Sequence, residues 1–172
     1  HIAVAPNGDI YMKTRSTEGG IVALRDTNGD YRADIIKYFG NMNETKEGIL
    51  WETGIAIHNG YLWASNTTTV YRWPMPKGGA LVPEGEPEMV VGGFSQQQSH
   101  ASKAFTFDNK GNLYVAVGAP SNACQTEERT PGSPGIEPCP LLEEHGGIWR
   151  FDANKTGQTF SAAATVCNAA WT

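Results

Sequence analysis

Apolar residues come in short runs along the chain, broken by Gly, Asn, Asp and Pro, and within each run they alternate or stand together. The first part gives "IAVA", "DIYMKT", "GIVALRD" and "DIIKYF"; the middle gives "TGIAIH", "YLWASN", "TVYRWP" and "EMVVGG"; the last gives "KAFTFD", "NLYVAVG" and "GIWRFD". Runs this short, rich in β-branched and aromatic residues and bounded by turn formers, predict strands. Asn-Gly and Lys-Gly pairs between them supply the positive φ that tight hairpins need. No stretch holds a helical period with caps.

The runs repeat. "APNGDIYMKT" at 5–14, "IHNGYLWASN" at 57–66 and "DNKGNLYVAV" at 108–117 share a Gly turn, an aliphatic residue, an aromatic and a β-rich run. Their glycines, Gly8, Gly60 and Gly111, are 52 and 51 residues apart. A fixed period near 50 with four strands in each is the pattern of an all-β propeller, one blade per repeat. A sandwich or barrel would not predict the period. The blades fall at about 1–48, 49–98 and 99–160. The third carries an insertion, 118–145, of the kind that builds sites at one end of a propeller. Three blades do not make a ring, and their open edges would pair. The chain therefore reads as part of a longer or processed polypeptide, with any targeting peptide upstream.

Composition narrows the partners. The chain has 172 residues, 40% hydrophobic, with 20 Gly, 10 Pro and a formal charge of −5. An acidic chain disfavours nucleic acid and anionic membranes, and no apolar run is long enough to span a bilayer. Cys124 and Cys139 flank a Pro/Gly-rich loop. A disulfide closing those roughly 15 residues would contribute about 3 kcal/mol in the loop-entropy model and imply an oxidising compartment; two free thiols are the alternative. No CxxC or His/Cys cluster suggests zinc.

Taken together, "HIAVAPNGDIYMKTR", "ALRDTNGDYRADIIKYFG", "TGIAIHNGYLWASN", "SHASKAFTFDNKGNLYVAVGAPSNACQ" and "PGSPGIEPCPLLEEHGGIWRFDANKTGQTF" resemble the glucose/sorbosone dehydrogenase family, nearest its L-sorbosone dehydrogenase-like branch. The resemblance covers residues 1 to about 160. It implies a six-bladed propeller that uses pyrroloquinoline quinone (PQQ) and Ca²⁺ to oxidise an aldose or a sorbosone-like sugar, in the periplasm or secreted. It also implies that most cofactor ligands lie in later blades. Non-enzymatic readings stand beside it: a propeller module that binds carbohydrate or protein, or two copies pairing through open blade edges into a full ring.

The resemblance makes His100 the general base, which takes the sugar hydroxyl proton while hydride leaves the same carbon; imidazole suits that step. Glucose dehydrogenases read Gly-Asp after the next strand, the Asp orienting the histidine. Here the pair is Gly118-Ala119, so Ser121, Asn122 or a backbone carbonyl must set the tautomer. The resemblance also brings the loop holding Trp51, Glu52 and Thr53 toward the quinone, and Asn122 and Gln125 toward substrate. For Trp51, packing between blades is an equal alternative.

Other motifs stand apart. "DTNGDYRAD" places Asp26, Asn28, Asp30 and Asp34 at positions 1, 3, 5 and 9, as an EF-hand Ca²⁺ loop begins. However, its glycine falls at position 4 and Lys37 occupies position 12, so a hairpin loop held by Asx-turns is the competing reading. Asn43, Asn66 and Asn154 lie in N-x-T sequons. From 161 to 172 the chain departs from the resemblance. Thr165–Asn168 can be encoded ACG-GTA-TGC-AAC, which read one base later gives Arg-Tyr-Ala-Thr, the expectation being a frame slip near residue 162.

Overall fold

The structure, a computed structural model, describes residues 1–14, 20–40, 54–97, 99–161 and, for the backbone, 166–167. The strands are β1 (Ile2–Val4), β2 (Ile10–Lys13), β3 (Ile21–Arg25), β4 (Ile35–Phe39), β5 (Ile55–His58), β6 (Tyr61–Ser65), β7 (Val70–Pro74), β8 (Glu88–Gly92), β9 (Phe105–Phe107), β10 (Asn112–Val117), β11 (Gly147–Asp152), β12 (Gln158–Thr159) and β13 (Val166–Cys167). Every run predicted as a strand forms one. Each of the three groups is an antiparallel meander: β1-β2-β3-β4, β5-β6-β7-β8 and β9-β10-β11-β13. Among the described residues the sheets pack face to face in chain order and do not close into a ring. Their first strands lie side by side, β1 against β5 and β5 against β9.

The repeat explains the packing. Ile10, Leu62 and Leu113 occupy one position in the three sheets, and Tyr11, Trp63 and Tyr114 the next. Because side chains alternate across a strand, the aliphatic residue faces the preceding sheet and the aromatic faces the following one. Leu62 thus joins Tyr11, Ala23 and Trp73 in a core between the first and second sheets. Trp63 joins Leu113, Val115, Trp149 and Phe151 in a core between the second and third. Phe39 packs edge-on to Trp73, with centroids 6.0 Å apart, and Trp63 edge-on to Phe107 at 4.8 Å, both favoured aromatic geometries. The outer face of the first sheet has no such cover: Ile2 is 60% and Val4 58% exposed.

Two pairings were not predicted. After β11 the chain runs beside the open edge of β8, and Gln158–Thr159 pair with it in parallel. Burial anchors this excursion, since Phe160 packs against Phe94 and Trp149. Within the 161–172 tail, Val166–Cys167 pair antiparallel with Ile148–Trp149 and complete the third sheet. Neither segment has local strand patterning; both take up free sheet edges. No described helix is long and apolar enough to cross a membrane.

Candidate functional site

Antiparallel topology assigns each loop to one of two ends. In every sheet the first strand starts, and the second ends, at the same end. His100, just before β9, therefore shares an end with loop 118–146, which follows β10, and with turn 66–69, which follows β6. The ends of neighbouring sheets coincide, because the hydroxyl of Ser65, the last residue of β6, donates to the Lys103 carbonyl before β9 at 2.7 Å. Loop 26–34 follows β3 and lies at the opposite end.

His100 is held from several sides. Its φ is +51°, an uncommon conformation for a residue with a Cβ. Gly118 passes directly against it: a Cβ there would sit 2.5 Å from the His100 carbonyl oxygen. The Gln97 amide donates to the carbonyls of Ser99, His100 and Gly118 at 2.8, 3.1 and 3.0 Å. The ring is exposed, and its Nδ1 lies 2.7 Å from the Ala119 carbonyl oxygen. A carbonyl only accepts, so Nδ1 carries the hydrogen, and in the neutral ring the lone pair lies on Nε2. Of the three candidates for setting the tautomer, the partner here is a backbone carbonyl.

Loop 118–146 is braced internally. Cys124 and Cys139 are joined, with Cα atoms 6.1 Å apart. The Ser121 hydroxyl accepts from the N–H groups of Ala123 and Cys124 and donates to the Glu128 carboxylate, which also accepts from Asn122 N–H at 2.8 Å. These bonds, led by Ser121, hold the Glu128 carboxyl below the usual carboxylate range, helped by the charges of Arg129 and His100. A cavity of about 590 Å³ opens between this loop and the ends of β10 and β11, lined by Ala119, Ser121, Asn122, Leu141 and Leu142 among others.

The other predicted residues fall out as follows. Asn122 is exposed on the cavity rim. Gln125 turns inward, its amide donating to Ser133 and Thr130 carbonyls at 3.1 and 3.4 Å. Trp51, Glu52, Thr53 and Asn43 lie outside the described residues. Asp26, Asn28, Asp30 and Asp34 gather at the end remote from His100, and their oxygens accept hydrogen bonds from the loop itself. Asp26 takes Asn28, Gly29 and Tyr31 N–H; Asp34 takes Thr27 N–H and Oγ1 and Asn28 Nδ2; Asn28 takes Asp30 N–H; Asp30 takes Arg32 N–H. These are Asx-turns, and among the described residues no group of three or more His, Cys, Asp or Glu could hold a metal. Asn66 is fully buried, its Oδ1 capping Thr68 and Thr69 N–H, so its sequon is closed in the folded chain. Asn154 is exposed.

Sequence reasoning missed Gln97 and Glu128. The run "SQQQSH" distinguishes no single glutamine, and Glu128 gains its place only through the fold of its loop. The one available signal was an acid inside a loop flanked by cysteines.

An all-β chain of successive four-stranded antiparallel sheets, with a histidine at one end beside a long disulfide-closed loop, defines a propeller-like fold with a candidate site at that end. Among solved structures, the fold is shared with the holo form of the PQQ domain of pyranose dehydrogenase from Coprinopsis cinerea, at TM-score 0.66 and 17% identity, over 96% of this chain and 37% of that one. It is shared too with the iodide and calcium structures of a Trichoderma reesei Carbohydrate-Active Enzymes Family AA12 protein, at TM-scores 0.66 and 0.65 and 16% identity, over 96% of this chain and 38% of those. The chain thus spans well under half the length of these structures. No protein-family model and no curated protein matches it.

Proposed function

We propose that this chain is part of a quinone-dependent sugar oxidoreductase in which His100 is the general base. The observation that carries the reading is the Nδ1 contact to Ala119 at 2.7 Å, made at the loop-rich end of a fold shared with a PQQ domain of a sugar dehydrogenase. It leaves Nε2 as the basic nitrogen of an exposed ring. His100 would take the hydroxyl proton from the sugar carbon being oxidised, and the resulting imidazolium would keep its hydrogen bond to Ala119. PQQ, when bound, supplies the two-electron acceptor.

The fit of the described residues to the cofactor is limited to the base. Lys103 is fully buried and its ammonium donates to Ala101 at 2.7 Å, and Arg129 faces Glu128. Neither is aimed at an anionic quinone, so no cofactor contact is assigned to them, and no Ca²⁺ ligand is assigned. We take the substrate to be an aldose or a sorbosone-like sugar and the location to be outside the cytoplasm; the Cys124–Cys139 bond supports the latter.

Dye reduction by the full-length polypeptide that contains this chain, with added PQQ and Ca²⁺ over an aldose panel, tests the reading. The expected result is turnover that falls about 10²- to 10⁴-fold in His100→Ala; unchanged turnover would overturn the base assignment. One observation favours a second reading, pairing of two copies: the aliphatic outer face of the first sheet is open, Ile2 and Val4 included. Sedimentation showing a strict monomer would end it.

A further inference from the structure

We infer that Glu128 is the positioning carboxylate of His100, supplying from loop 118–146 the negative charge that Gly118-Ala119 lacks. The inference rests on His100 being the base. A carbonyl such as Ala119 fixes a tautomer, but it carries no charge to offset the imidazolium that forms when the ring accepts a proton.

The geometry brings a charge to the same turn. Residues 118–122 hold the imidazole through Ala119 and the Glu128 carboxylate through the Ser121 hydroxyl and Asn122 N–H. Ser121 can only donate to Glu128, because its oxygen is already an acceptor for Ala123 and Cys124 N–H. The carboxylate is thus anchored at both oxygens, and these bonds hold it below the usual carboxylate range. The loop that carries it is closed at its base by Cys124–Cys139 and pinned within by the Gln125 amide.

The ammonium of Lys103 is directed at the Ala101 carbonyl, and the Arg129 guanidinium lies 3.9 Å from Glu128, so it moderates the carboxylate's field at the ring without replacing it. The Glu128 side chain is 37% exposed, so screening by solvent and salt keeps the effect modest.

The test needs no cofactor. The chain has four histidines, and NMR titration of their Cε1–H signals, with His100 assigned by its loss in His100→Gln, reads the ring directly. In Glu128→Gln the His100 midpoint should fall by about half a pH unit, with a smaller fall in Ser121→Ala, while His58 and His145 hold still. Added salt should lower the wild-type midpoint toward that of Glu128→Gln. Glu128→Asp, which keeps the charge, should retain at least part of the wild-type midpoint. Equal midpoints in wild type and Glu128→Gln, or a wild-type midpoint indifferent to salt, would overturn the inference. Failure of the base reading appears instead as unchanged turnover in His100→Ala, so the two can fail separately.

Discussion

Gly118 and His100 are in such close contact that a Cβ built on Gly118 would lie 2.6 Å from the His100 Cβ. The obstacle on one side is backbone, the His100 carbonyl, which cannot swing away as a long side chain can. Gly118→Ala must therefore displace His100 or the end of β10. The expected cost is about 1–3 kcal/mol, read as a lower urea midpoint. The His100 ring signal should also shift, because Nδ1 and Ala119 would lose register. A variant as stable as wild type with an unmoved His100 signal would show that the contact relaxes freely.

Lys13 predicts a pH dependence. Burial lowers its ammonium from the ordinary 10.5 to about 7. Between those values the unfolded chain binds a proton that the folded chain does not, so stability from this group rises with pH across that window. Below about pH 7 both states are protonated and its contribution is flat at its least favourable. Lys13→Met should remove this part of the slope and gain most at neutral pH and below. Urea midpoints for both proteins at a series of pH values check it; parallel curves would refute it.

Much of the fold was legible because it is local and repeated. The turns at Gly8, Gly60 and Gly111 fix the same register three times, and the alternation at Ile10–Tyr11, Leu62–Trp63 and Leu113–Tyr114 tells which face meets which neighbour. Strands β12 and β13 were not legible, since their pairing depends on the edges of β8 and β11 and on where Phe160 finds a core. The site divides in the same way. His100 stood out through the resemblance, and a backbone carbonyl was among the partners considered for it. Ala119 as that carbonyl, and Glu128 across the same turn, depend on how 28 inserted residues (118–145) fold, and no local pattern encodes that. The acidic loop 26–34 is another such case: its spacing left a cation and Asx-turns both open, and only the fold shows its oxygens accepting from the loop's own N–H groups.

The Cys124–Cys139 bond closes a 15-residue separation, so its loss should cost about 3 kcal/mol through loop entropy. Cys124→Ser with Cys139→Ser should unfold at lower urea and be cleaved faster by protease within 125–138, where the chain is exposed. Sheets one and two should be indifferent, because their core includes no residue of the loop. Equal protease susceptibility of the loop in both proteins would mean that hydrogen bonds such as Gln125 to Ser133 hold it unaided.

Arg72 ties the second sheet to the third. Its Nε bonds Glu88 at 2.7 Å, its Nη1 donates to the Ala153 carbonyl at 2.8 Å, and its guanidinium lies 4.3 Å from the Tyr61 ring centroid. The Ala153 bond crosses from β7 to the turn after β11, and it is buried, so removing the donor strands a carbonyl away from water. Arg72→Ala should cost about 2–4 kcal/mol from that bond, the ion pair and the cation–π contact together. Arg72→Lys should fall between, since an ammonium cannot keep the fork and the ring contact at once. Amide exchange should locate the loss: faster exchange across β10 and β11 with β1–β4 unchanged marks a weakened second interface. A loss spread evenly over all three sheets would instead mean that the chain unfolds as a single unit and that Arg72 contributes only to its global stability.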